Sequence, residues 1–360
     1  MLVAMDNDFP RPFPTGTALA SLCEQVAERA DTTRTVGPWR SGVFQAFAES
    51  GCLAGWIAPA DGGTAAAEPA IMDLLVEVAS RCLTSALALT QWASAVRILG
   101  RTDAVSRQRL LPALAAGRQF TTVGISQLTT SRQHLARPAV SATAGPDGWR
   151  LSGVCPWVTG ADSVQTIVTG AVARLSSGEA EPRFFAIETA SPGVIVEPPL
   201  EMLALSGSRT SCVRLEDVPV VAEIPPTGPA GQTGGLGTTA LALGSTRAAL
   251  RLIDHEADRR HSLGLVVAEL RREADALGLE FQQAARSGCD AASRNNLRQR
   301  ANSLVTRAAQ ASLTASKGAG FVVGHPAERL LRESMFFLVW SCPQPVTESL
   351  LCDLAGLAAD

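Results

Sequence analysis

The sequence predicts a mostly α chain of the α+β class: helices first, a β-rich stretch in the middle, and helices again to the end. Three observations carry this. Residues 17–118 hold apolar residues at three-to-four spacing; residues 120–222 switch to short β-prone runs between turn clusters; from Thr238 the helical period returns. Recurrence every three or four positions lines one face of a helix, whereas short runs bounded by Gly, Pro and Asp mark strands. Domains are accordingly expected at residues 1–119, 120–225 and 226–360.

In the first zone, Thr17–Arg29 and Trp39–Gly51 each present one apolar helical face, and Ala70–Leu99 is apolar nearly all round, the mark of a buried central helix. Pro59-Ala-Asp-Gly-Gly63 punctuates the zone as a turn. The β-rich runs are Pro138–Ala144, Trp149–Thr159, Gln165–Arg174, Arg183–Thr189 and Gly193–Glu197. Turn clusters at Gly145-Pro146-Asp147-Gly148 and Ser176-Ser177-Gly178 separate them, so a small antiparallel domain is expected. Pro219, Pro225-Pro226 and the Gly-rich Gly228–Gly237 read as a linker. In the last zone Leu241, Ser245, Ala248, Leu252 and His255 share one helix face. Leu297, Ala301, Leu304, Ala308, Ala311 and Ala315 share another, whose small residues suit close helix packing. Glu280–Gly288, between them, reads as a helix end or a loop.

Composition narrows the function. A chain of 360 residues can bury a core without disulfides. Charged residues are 18% and hydrophobic residues 46%, so much surface is expected to be covered, within a bundle or between subunits. A net charge of −3 with scattered arginines leaves no polybasic tract, which argues against nucleic acid or an anionic membrane as partner. No run approaches the ~18 apolar residues of a spanning helix. The first residues carry acids and prolines, unlike a signal peptide. Eight cysteines without a CxxC pair read as reduced, mostly buried thiols of a cytoplasmic protein. Four histidines without HxxH or HxxxH spacing argue against a metal site.

Several segments share a pattern. Gly318–Pro345 holds a Gly-rich turn, Pro326-Ala-Glu328-Arg329, the pair Arg332-Glu333 and an apolar stretch ending at Trp340-Ser341. Upstream stand Phe47-Ala-Glu-Ser-Gly51 with Trp56–Pro59, Leu110–Gly117, Gly148–Gly153 followed by Pro156–Gly160, and Gly207–Thr210 with Leu215–Pro219. In this order, over roughly residues 40–340, they resemble the acyl-CoA dehydrogenase family. The resemblance implies an N-terminal helical domain, a central antiparallel β-domain and a C-terminal four-helix bundle. It also implies bound FAD, an acyl thioester substrate and assembly into oligomers, either of this chain or with a related subunit.

By the same resemblance, the hydroxyls of Ser126 and Thr159 would hydrogen-bond the flavin ring, with Trp157 beside it. Stabilising charge on a reduced flavin requires donors of this kind. Arg260, in Asp258-Arg-Arg-His-Ser-Leu-Gly264, matches the arginine that meets the cofactor diphosphate across a subunit interface. A planar guanidinium suits a diphosphate.

The pattern is broken where the chemistry starts. Ser341 stands at the usual position of the catalytic glutamate, and the alternative base position falls on Gly234. The loop after Ser126 reads Gln127-Leu-Thr-Thr-Ser-Arg132-Gln133 in place of the family's acids, Thr233-Gly234-Gly235 replaces the residues that hold CoA, and Pro343 and Pro345 replace polar ones. Dehydrogenation at Cα–Cβ needs a base that is ionised near neutral pH and within reach of the Cα proton. A serine cannot serve unaided, and Cys342 would need a stabilised thiolate. The sequence therefore reads as a flavin oxidoreductase with a changed active site. The alternatives are a base-less, non-catalytic subunit of a heteromeric pair and a scaffold that has lost flavin.

Overall fold

The computed structural model describes residues 11–129, 138–174, 179–224, 235–340 and 342–356. Six helices come first: α1 (Gly16–Glu28), α2 (Ala30–Val36), α3 (Val43–Glu49), α4 (Glu68–Arg81), α5 (Leu83–Leu99) and α6 (Ala104–Ala115). Next are β1 (Thr121–Gly124), the short helix α7 (Ser126–Thr129), and strands β2 (Val140–Gly145), β3 (Gly148–Val158), β4 (Thr166–Arg174), β5 (Ala180–Glu188), β6 (Val194–Val196), β7 (Ser211–Pro219) and β8 (Ala222–Ile224). The chain closes with α8 (Gly237–Ala257), α9 (Gly264–Ser287), α10 (Ala291–Ser316), α11 (Pro326–Ser334) and α12 (Gln344–Ala355). Among the described residues no helix is long and apolar enough to cross a membrane, and no group of three or more His, Cys, Asp or Glu could hold a metal ion. Among the described residues no cysteine forms a disulfide.

The chain forms two compact units. One comprises Met1–Ala67, Ala88–Leu200 and Gly207–Ala230, and the other Glu68–Leu87, Glu201–Ser206 and Gly231–Asp360. The expected long helix over Ala70–Leu99 is interrupted at Cys82, and the boundary between units follows a few residues later. A run that is apolar on every side carries no phase, so an interruption leaves no mark in its pattern.

In the first unit the strands form one mixed sheet in the order β6-β7-β3-β2-β4-β5-β8, with β1 also on β4. It is mainly antiparallel, as expected. Two pairings are parallel: β1 meets β4 at Thr121↔Thr166, and β2 meets it farther along at Ser141↔Val172. These two strands share one edge of β4 while β5 covers the other, and β4 is accordingly buried along most of its length. A strand buried on both faces reads as a continuous small and apolar run, here Thr166–Arg174. The hairpin β2–β3, closed at Gly145↔Gly148, was legible from its turn residues. The parallel partners of β4 were not, because turn chemistry reports only the next strand in sequence. Leu151, Val158, Ile167, Phe185, Ile187, Val213 and Leu215 fill the core of this sheet.

In the second unit α8 lies close against α4. A Cβ built at Gly244 would come within 2.4 Å of the Val76 carbonyl oxygen, so only a glycine permits this approach. On α10 the predicted stripe is buried at Leu297, Ala301, Leu304, Ala308 and Ala315, with Ala311 half-buried. Ala308 packs with Ala249 and Leu330. The α8 stripe begins buried at Leu241 and Ser245 but drifts outward to an exposed His255, and the buried face continues through Ala249 and Ile253. Glu280–Gly288 forms the last two turns and the C-cap of α9. Caps follow local chemistry: Asp290 accepts from Ser293 N–H to start α10, and His325 Nδ1 accepts from Ala327 N–H ahead of Pro326 to start α11.

Candidate functional site

A bulge in β3 organises the predicted flavin-facing residues. Between Cys155↔Val213 and Val158↔Ser211 the register advances three residues on β3 for two on β7. The extra residue resets the alternation of faces. Cys155 and Val158 therefore both join the sheet core, while the Trp157 ring stands out at 49% exposure.

β1 ends beside this bulge. A Cβ built at Gly124 would come within 2.9 Å of Val158 Cγ2 and 3.5 Å of Cys155 Cβ. Ser126, two residues on, and Thr159, just past β3, are thereby brought to the same part of the sheet. The Ser126 Oγ is buried with no hydrogen-bond partner. Buried hydroxyls nearly always find a partner, and one left alone costs about 1–3 kcal/mol. Thr159 is buried, with its hydroxyl 3.2 Å from that of Thr210, which lies 2.8 Å from that of Ser208. Three hydroxyls joined by two hydrogen bonds keep one proton to donate elsewhere.

Three features of the site escaped the sequence. Gln127, read only as a lost acid, is buried, and its Nε2 donates to the carbonyls of Gly124 at 2.8 Å and Gly170 at 2.9 Å. A glutamate could not donate to those carbonyls, so the amide ties the end of β1 to β4. Next, Asp162 stands two residues past Gly160 and accepts from Arg209 Nε at 2.7 Å, with Arg40 Nη2 at 3.2 Å. Burial pushes its carboxyl up, but hydrogen bonds from Arg209 and Ser163 and the charges of Arg209 and Arg40 outweigh that and hold its pKa below the ordinary value. Finally, Arg298 on α10 is a buried cation. The signal available was an arginine one residue after Leu297, beside the apolar stripe.

Arg260 has a task within its own chain. It donates to the carbonyl of Ala315, in the last turn of α10, and pairs with Glu256 at 2.8 Å. Terminal helix carbonyls lack intrahelical donors, and a cation there is doubly suited. Arg260 belongs to the second unit, and Ser126, Trp157 and Thr159 to the first. Ser341, Arg132 and Gly234 lie outside the described residues. Cys342, half-buried, has its thiol pushed up by burial, only partly offset by Arg298. It is no ready nucleophile.

No protein-family model matches the sequence, and no curated protein matches it either. Solved structures match over nearly the whole chain. Butyryl-CoA dehydrogenase from Megasphaera elsdenii shares 16% identity at a TM-score of 0.76, over 94% of this chain and 99% of its own. FkbI, which serves biosynthesis of the methoxymalonyl extender unit of the Fk520 polyketide immunosuppressant, shares 17% at 0.77, over 94% of this chain and 99% of its own. KijD3, in complex with FMN and dTDP-3-amino-2,3,6-trideoxy-4-keto-3-methyl-D-glucose, shares 21% at 0.74, over 99% and 98%. At such identities the likeness speaks to fold. The chain has the acyl-CoA dehydrogenase fold.

Proposed function

We propose that the chain is an FAD-dependent oxidoreductase of the acyl-CoA dehydrogenase type, acting on an acyl thioester or a related substrate without the usual glutamate base. The observation that carries this is the unpartnered, buried hydroxyl of Ser126 beside the bulge that exposes Trp157. The residues present fit a flavin ring: an unspent donor at Ser126, a spare hydroxyl proton in the Thr159–Thr210–Ser208 chain, and an exposed indole. A flavin held there would supply a two-electron acceptor. Ser126 and Thr159 would donate to its polar edge, where reduction places negative charge. Trp157 would cover the ring and exclude water. Arg260, with Nη2 already committed, would offer its remaining nitrogens to the diphosphate of FAD in a neighbouring subunit. The exposed run Phe321, Val322 and Val323 fits a surface covered in such an oligomer.

Proton abstraction at carbon is not assigned to Ser341, whose hydroxyl is not ionised near neutral pH. The KijD3 complex, on the same fold, pairs a flavin with a nucleotide sugar in place of a thioester, which supports keeping the substrate class wider than acyl-CoA. The test is the visible spectrum of the purified chain, followed by anaerobic titration with acyl-CoA compounds. Bound flavin is expected. A colourless protein that takes up neither FAD nor FMN sinks the reading. Flavin that no acyl-CoA reduces moves the substrate away from CoA thioesters, and flavin acquired only on co-expression with a base-containing relative makes this chain the non-catalytic partner.

A further inference from the structure

α10 buries an arginine that pairs with no acid among the described residues. Arg298 is 3% exposed, and its Nε and Nη1 are buried with no hydrogen-bond partner. Nη2 donates to the Trp340 carbonyl at 2.5 Å and lies 3.7 Å from Cys342 Sγ. One turn along α10, fully buried Asn302 donates Nδ2 to the Phe337 carbonyl at 2.8 Å. Gln299 adds an exposed hydrogen bond to the Pro345 carbonyl at 3.2 Å.

A guanidinium keeps its proton, so burying one without a counter-ion is costly, and an apolar side chain would pack more stably at the same place. The bonds it and Asn302 do make share one target. Met335–Leu338 is a 3-10 turn whose last carbonyls have no continuing helix to accept from. Asn302 supplies a donor to Phe337 within that turn, and Arg298 supplies one to Trp340, two residues past its end.

We propose that Arg298 and Asn302 are positioning residues, a clamp on α10 that fixes the backbone at Phe337 and Trp340. Position 341, where the family resemblance places the catalytic residue, follows directly, so the clamp's bearing on turnover rests on the function proposed above. The clamp itself does not.

Cys342 reports on it. Full-length wild type, Arg298→Met, Arg298→Lys and Asn302→Leu are labelled with iodoacetamide, and each thiol is read separately by mass spectrometry. Buried Cys23, Cys52 and Cys155 serve as references. Losing a hydrogen bond from a charged donor is expected to make local opening, and so Cys342 labelling, about 10-fold faster or more in Arg298→Met. Arg298 pulls the Cys342 pKa down, so removing its charge alone slows labelling. Acceleration therefore comes only from opening. Arg298→Lys keeps a cationic donor and is expected to label close to wild type. The urea midpoint of Arg298→Met is expected to be no lower than that of wild type, because an unpaired buried charge has gone.

Unchanged or slower Cys342 labelling in Arg298→Met overturns the clamp, as does a parallel rise in all the reference thiols. If that variant does not fold, Asn302→Leu decides on the same readout. Labelling needs neither flavin nor substrate, so a chain that binds no flavin refutes the proposed function and leaves this test intact.

Discussion

Gly160 follows Thr159 directly and sits at φ +64. A Cβ built there would come within 2.1 Å of Trp39 Cη2 and 2.4 Å of Cζ3. The Trp39 ring cannot simply withdraw, because it is stacked on Phe44 with centroids 5.1 Å apart, and Phe44 is fully buried. Gly160 N–H also donates to the Ser208 carbonyl at 3.0 Å, so the backbone is held in place as well. Gly160→Ala therefore meets two costs. The left-handed conformation costs a residue with a Cβ roughly 1–2 kcal/mol, and forcing a methyl into a packed ring adds about 1–3 kcal/mol. A total destabilisation of ~2–5 kcal/mol is expected from urea unfolding. Gly148→Ala is the control: it has φ +106 but nothing within 4 Å of the new methyl, so only the backbone cost applies. The steric share should vanish in a Trp39→Ala background, which a double-mutant cycle reads as a coupling of about 1–3 kcal/mol. A cycle with no coupling, or a Gly160→Ala variant no less stable than Gly148→Ala, would refute the claim that Trp39 limits the space behind Thr159.

Two further outcomes follow from the same site. Ser126→Ala removes a buried hydroxyl that makes no bond, so stability should hold or rise slightly, while flavin affinity falls about 10-fold through a lost donor; calorimetry and flavin titration check both, and an unchanged affinity removes Ser126 from the ring. The Asp162 carboxyl is held below its ordinary 3.8, so its contribution is complete above that pH and is lost as pH falls through its lowered folded-state value. Asp162→Asn should accordingly show less acid-induced loss of stability than wild type below about pH 4, measured as melting temperature against pH, and identical acid profiles would rule this out.

Much of the fold was legible locally. The predicted runs at Trp149–Thr159 and Gln165–Arg174 agree closely with β3 and β4, because alternation and flanking turn residues lie within a dozen positions of each other. Ser211–Pro219, with Arg214, Glu216 and Asp217 on its exposed positions, did not stand out as a strand and is defined by its pairing with β3. At the site, Ser126 and Thr159 were found through resemblance of the surrounding motifs. Their chemical meaning, one hydroxyl orphaned and the other at the end of a hydroxyl chain, was not legible, since it depends on what does or does not stand opposite.

The sequence by itself determined the order of helices, strands and helices, the hairpin at Gly145–Gly148, and the absence of a glutamate at position 341. Period, turn chemistry and residue identity are properties of neighbours along the chain. Only the tertiary structure decided that β1 and β2 share an edge of β4, that a bulge throws Trp157 outward, that Arg260 caps α10, and that Arg298 is buried against the Trp340 carbonyl. Each of these depends on a partner distant in sequence, and burial or satisfaction of a polar group exists only once that partner is in place.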